Sequence, residues 1–247
     1  MRGFIESGVE FKNKNGYKAK VEEYISWDNV IISFPEGEGS IRIRSTHLKS
    51  GNFKSPFEPT VSGVGYLGIG KYKVKYSSGE LTPEYKLWVN MIRRCYEQNP
   101  KFKVATYLKV FVCDSWKNFQ MFAEWCRQNE YFNVGYSLDK DLLSGGNKVY
   151  SPETCCFIPQ SINIAISNRK GNSGVFYRED RRKYSSYINK FGKRFYLGCY
   201  EDISCAKECF RKQKESYIKQ LADLWFGNIE TRVYDALYKW EVVDEET

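Results

Sequence analysis

The stretch SLDKDLLSGGNKVYSPETCCFIPQSINIAISN, residues 137–168, decides how the middle of this chain is read. It predicts a short strand ending at Asp139, a Gly-rich turn over residues 144–147, a second short strand, and then a helix. The turn rests on the Gly145-Gly146-Asn147 cluster. The helix start rests on Ser151-Pro152-Glu153, a capping residue followed by Pro at the first helical position.

Leu138-Asp139-Lys140, then Tyr150-Ser151-Pro152-Glu153-Thr154-Cys155, then a late helical Asn163, carry a resemblance. The stretch resembles the ββα-metal finger of HNH nucleases, in the version common in phage and mobile-element endonucleases. The resemblance implies one divalent metal, Mg²⁺ or Mn²⁺, held by Asp139 and Asn163, with Asp141 as a further ligand. It implies Asp139 and Lys140 as the catalytic pair. The chain departs from the family at two positions. The general base, a His in the family, falls on Lys140, and the Asn that orients it falls on Thr154. A Lys is protonated near neutral pH unless strongly desolvated. Two readings of these polar residues stand: a metal site, or a turn tied together by the hydrogen bonds of Asp139, Asp141 and Asn163.

Outside this stretch, composition sets bounds. Aromatic residues make up 17% of 247, too many for a disordered chain. The formal charge of +8 favours a polyanionic partner. The eight Cys form no zinc pattern: Cys155-Cys156 are adjacent, Cys205 and Cys209 are four apart, and the others are scattered. With His47 the only His, they read as buried thiols of a reducing cytoplasm, with no zinc expected. The N-terminus lacks the apolar core of a signal peptide, and no apolar run approaches membrane-spanning length.

Residues 5–55 alternate β-rich runs with turn signals near residues 13–16, 27–29 and 36–39. Five short strands are expected, closed into a small SH3-like or Tudor-like barrel over residues 1–66. Arg42, Arg44, Lys49 and Lys54 are its candidate binding residues, with a purely structural barrel as the alternative. His47 reads as a turn or surface residue. Residues 56–72 form a Gly- and Pro-punctuated linker. TPEYKLWVNMIRRCYEQ then predicts a helix with a Thr cap and Pro at its first position, burying Leu87, Met91, Ile92 and Cys95, with Trp88 adjoining. DSWKNFQMFAEWCRQNE predicts another, with Trp116, Phe119, Phe122, Ala123 and Cys126 at helical spacing. This order, ahead of Gly-Tyr-Ser-Leu-Asp, extends the endonuclease-like resemblance to residues 85–168, within a helical domain set at 67–168.

Residues 172–226 predict three strands and a long helix from Ile203. Turns fall at residues 179–182 and 191–192. Alternation sends Val175, Tyr177, Tyr184, Ser186, Ile188, Phe195 and Leu197 toward the helix. It sends Phe176, Arg178, Ser185, Tyr187, Asn189, Arg194 and Tyr196 outward. The helix buries Ala206, Cys209, Phe210, Tyr217, Leu221 and Trp225. A further helical piece follows, with Val233, Ala236, Leu237 and Trp240 at helical spacing, and then an acidic end. Ser173-Gly174-Val175, Gly192-Lys193-Arg194 and Leu197-Gly198-Cys199-Tyr200 resemble the Apetala/ethylene-response-factor DNA-binding domain, over residues 169–247. The resemblance implies a sheet laid in the major groove of double-stranded DNA. Arg178, Tyr187, Asn189, Lys193, Arg194 and Tyr196 would read or hold DNA there, and Arg181 and Arg182 would sit near the backbone.

The sequence therefore predicts an α+β protein of three modules, bound to double-stranded DNA in the cytoplasm of a bacterial host cell and encoded by a phage or mobile element. A weak or degenerate metal-dependent homing-type nuclease is the first expectation. The alternatives are an inactive DNA-binding or regulatory protein, or a phage factor that binds a host protein. No membrane partner is expected.

Overall fold

Four antiparallel strands open the chain: β1 (Glu10–Lys12), β2 (Lys18–Ser26), β3 (Asn29–Phe34) and β4 (Gly37–Ile43), paired in sequence order. These come from a computed structural model that describes residues 4–97, 109–132, 135–167 and 174–242. Asn168, Ser173 and residues 243–247, which carry the acidic end, lie outside them. The expected closed barrel is corrected: among the described residues β4 does not pair with β1, and there is no fifth strand. The reason is local. After β4 the chain turns into α1 (Ser45–Lys49), whose Leu48 covers the sheet's inner face beside Ala19, Val21, Val30, Ile32 and Phe34. The turn between β1 and β2 is held by Asn13. Its Oδ1 accepts from the Asn15 and Tyr17 N–H groups, both at 2.9 Å, and its Nδ2 donates to the Phe53 carbonyl at 3.1 Å.

This sheet belongs to the first of two compact units, Met1–Asn129 with Lys148–Ser151. The division falls inside the stretch expected as one helical domain. Helix α2 (Pro83–Tyr96) starts at the predicted Pro and buries Trp88, Met91 and Ile92. The Thr82 hydroxyl does not cap it and donates to the Lys73 carbonyl at 3.0 Å. The next predicted helix is broken into α3 (Asp114–Lys117) and α4 (Phe119–Gln128). Tyr66 causes the break. Its N–H donates to the Lys117 carbonyl and its own carbonyl takes the Phe119 N–H, both at 2.9 Å. Asn118 restarts the helix as its cap, accepting from the Gln120 N–H at 2.9 Å. Trp116, Phe119, Phe122, Ala123 and Cys126 are buried as their spacing predicts. A short parallel pair, β5 (Phe111–Val112) with β7 (Val149–Tyr150), completes the unit.

The second unit is Glu130–Asn147 with Pro152–Thr247. Strand β6 (Tyr136–Asp139) pairs antiparallel with β8 (Cys156–Pro159), and α5 (Gln160–Ile166) packs on both. The helix therefore begins at Gln160 and not at Ser151-Pro152-Glu153, whose Pro152 and Glu153 lie in a turn. Pairing of residues 156–159 with β6 holds that segment extended and postpones the helix. Then come β9 (Val175–Arg178), β10 (Lys183–Lys190) and β11 (Lys193–Tyr200), an antiparallel sheet of order β11-β10-β9. Helix α6 (Ile203–Leu224) lies mainly across β10, and α7 (Thr231–Tyr238) packs on α6. Ile158, Ile162, Ile188, Tyr217, Ile218, Leu221, Val233 and Leu237 share one core.

All eight Cys are free thiols, but only Cys126, Cys155 and Cys156 are buried, and Cys205 is exposed. The expectation of uniformly buried thiols is thus corrected: Cys205 lies in the first turn of α6, away from the face that packs. No helix among the described residues is long and apolar enough to cross a membrane.

Candidate nucleic-acid interface

Two tight turns shape the three-stranded sheet. Phe191 and Gly192 join β10 to β11 with φ of 49° and 75°. Positive φ at both central residues is the hairpin geometry whose twist suits flanking strands. It disfavours a bulky residue such as Phe. Tyr217 of α6 offsets that cost: its hydroxyl accepts the Phe191 N–H at 3.0 Å, and the two rings meet edge to face at 5.1 Å. At the other end Gly174 is fixed by crowding, since a Cβ there would come within 2.4 Å of Phe210 and of the Tyr187 carbonyl oxygen. The Asp202 carboxylate caps α6 by accepting from the Ser204 N–H at 2.6 Å.

The helix covers one face, and the other is open. Ile188 and Leu197 reach the core shared with α6. A bulge between Ser186 and Tyr187, with Leu197 as the extra residue, keeps Leu197 on that side. Two predicted inward residues, Tyr177 and Phe195, are 52% and 46% exposed, because α6 lies over the central strand and covers the edges less. Ser185, expected outward, is buried under its register partners Phe176 and Cys199.

On the open face four side chains come together. The Arg194 guanidinium lies 4.1 Å from the Tyr187 ring centroid and 5.4 Å from that of Phe176. Both are within cation–π range. Tyr196 sits 5.3 Å from Tyr187, and Phe176 sits 6.2 Å from it. Asn189 is exposed opposite Arg194, and Lys193 is exposed at the hairpin. Arg182 (φ 49°) and Arg181 occupy the exposed β9–β10 turn. Arg178 is the exception. Its guanidinium grips Asp180 through two bonds of 3.0 and 3.1 Å, and Arg181 approaches the same carboxylate at 3.8 Å. Arg178 in turn holds the Asp180 carboxyl below its ordinary value. Sequence reading missed Asp180; the signal was an acid two residues from Arg178 inside a turn. It also left Phe176 out of the DNA-contacting set, although alternation already sent it outward.

The finger is built differently. Asp139 ends β6, and its Oδ2 accepts from the Asp141 N–H at 2.9 Å and the Leu142 N–H at 2.8 Å. Burial pushes its carboxyl above the ordinary value, the nearby Asp141 charge adds to the rise, and the two backbone donors oppose it. The Lys140 ammonium is buried, bonded to the Asp141 carboxylate and, at 3.3 Å, to the Asn147 carbonyl. The Ser144 hydroxyl donates to the Lys140 carbonyl at 2.5 Å, and Leu142 and Leu143 pack on the core. Asn163 is half-buried on α5, with no hydrogen bond to Asp139 or Asp141 among the described residues.

A divalent cation, which the finger resemblance implies, does not fit this set. One Asp139 oxygen is committed to backbone, Asp141 is neutralised by Lys140, and no three His, Cys, Asp or Glu side chains converge among the described residues. No family model, curated protein or solved structure matches the chain.

Proposed function

We propose that this protein binds double-stranded DNA through the open face of β9–β11, without a cleavage step of its own. The observation that carries this reading is Arg194, an exposed guanidinium held over aromatic rings on a helix-backed sheet. Stacking fixes its direction, so little conformational freedom is lost when it bonds a base edge or phosphate. Charge supports the same three-stranded segment. Between Gly174 and Tyr200 stand seven Lys and Arg against two acidic residues, most of the excess in a chain of net +8. Three antiparallel strands backed by one helix is also the order that the Apetala-type resemblance implies. The same resemblance implies a phage or mobile element as the source and the cytoplasm of a bacterial host cell as the location.

The test is titration of the full chain with duplex DNA at several salt concentrations. Each phosphate neutralised steepens the logarithmic salt dependence by about 0.9. A slope of several units supports the reading. Absence of duplex binding at low salt overturns it and favours a protein partner. Plasmid nicking in Mg²⁺ or Mn²⁺ that EDTA abolishes would restore the nuclease reading of Asp139 and Lys140.

A further inference from the structure

The open face of β9–β11 carries more apolar ring than phosphate binding requires. Phe176 is 44% exposed and Tyr196 54%, on either side of Tyr187 and Arg194. Backbone contacts need cations and hydrogen-bond donors, and exposed ones stand at the two ends of the sheet, Arg181 and Arg182 in the β9–β10 turn and Lys193 at the β10–β11 hairpin. The rings do not make a flat platform for unstacked bases. Phe176 is turned 61° from Tyr187, Tyr196 is turned 53°, and Arg194 covers the Tyr187 face. In the major groove of an intact duplex one apolar group is offered to such a cluster, the C5 methyl of a pyrimidine. The neighbouring guanidinium would then take the polar edge beside that methyl.

We propose that this face selects duplex sites carrying pyrimidine C5 methyl groups, thymine or 5-methylcytosine, packed against Phe176 and Tyr196. The inference rests on the duplex-binding reading above. It assigns Phe176 and Tyr196 a part in specificity and leaves Arg194 to supply affinity.

The test starts from duplexes that the full chain enriches from a randomised pool. The enriched duplex is synthesised again with deoxyuridine in place of thymidine, which removes the methyl and keeps every hydrogen-bonding group. Burying one methyl-sized group is worth about a fourfold change in affinity. The deoxyuridine duplex is therefore expected to bind at least about fourfold more weakly, and 5-methylcytosine in place of a contacted cytosine to bind more tightly. Phe176→Ser and Tyr196→Ser, both at exposed positions, should abolish the difference between the two duplexes. A loss that persists in both variants would belong to altered DNA stiffness and would overturn the proposal. Equal affinity of the natural chain for both duplexes, or an enriched site without thymine or a methylation-sensitive cytosine, also overturns it while duplex binding stands. No duplex binding in any arm fails the underlying reading instead.

Discussion

The finger around β6 and β8 and the sheet β9–β11 both carry charged side chains where a nucleic-acid enzyme would use them, yet they treat those charges oppositely. In the finger the central charges are tied to the finger itself. Asp139 holds two backbone N–H groups, and Lys140 is buried against Asp141 and the Asn147 carbonyl. In the sheet Arg194 rests on rings at the surface, and Arg181, Arg182 and Lys193 are exposed in its two turns. A loop that must bury its own turn satisfies its polar groups internally, because an unpaired buried group costs about 1–3 kcal/mol. A sheet already backed by a helix has no such need on its second face. Motif spacing can therefore be met by a fold's own bonding requirements.

The largest effect is expected from Gly174→Ala. Its φ of 66° and the close approach of Phe210 and the Tyr187 carbonyl leave no room for a Cβ. Strain and overpacking together should cost about 3 kcal/mol of stability in denaturant titration. A loss near zero would mean that the sheet's entry is looser than described.

Asp139 should come next. Asp139→Ala leaves two N–H groups without their acceptor and should cost about 1–3 kcal/mol. Asp139→Asn keeps an acceptor oxygen and removes a half-buried, desolvated charge, so it should match or exceed the natural chain at neutral pH. The pH dependence has a definite sign. The folded carboxyl titrates above its ordinary value of 3.8, so between that value and its raised one the folded state binds more protons. Stability from this group is present below pH 3.8 and is lost as pH rises through the folded value. Thermal melts should show the Asn variant gaining on the natural chain across that window. An Asn variant as damaged as the Ala variant would mean that Asp139 needs its charge, as a metal ligand does.

The smallest effect is expected from Arg181→Ala. It should reduce the salt slope of duplex binding by about one unit and act alike on all sequences. Arg178→Ala should change affinity less than Arg194→Ala, because Asp180 already occupies its guanidinium.

What the sequence disclosed followed from local chemistry. Alternation and the turns at residues 179–182 and 191–192 set β9, β10 and β11, and Pro83 set the start of α2. What it concealed depended on distant partners. Ser151-Pro152-Glu153 has helix-start chemistry, but pairing with β6 keeps residues 156–159 extended. The break at Asn118 comes from Tyr66, far away in sequence. Barrel closure failed because α1 covers the inner face instead of a fifth strand. At the candidate sites, alternation identified Tyr187, Arg194 and Tyr196 as a surface set. It could not show that Lys140 would fold back on Asp141.

The most direct measurement compares Arg194→Ala with Asp139→Asn on one enriched duplex, by equilibrium binding at fixed salt. Arg194→Ala should weaken binding by about 1–3 kcal/mol, roughly 5- to 150-fold, while Asp139→Asn leaves affinity unchanged. The reverse pattern, with affinity lost at Asp139 and intact at Arg194, would contradict the sheet as the DNA-binding face.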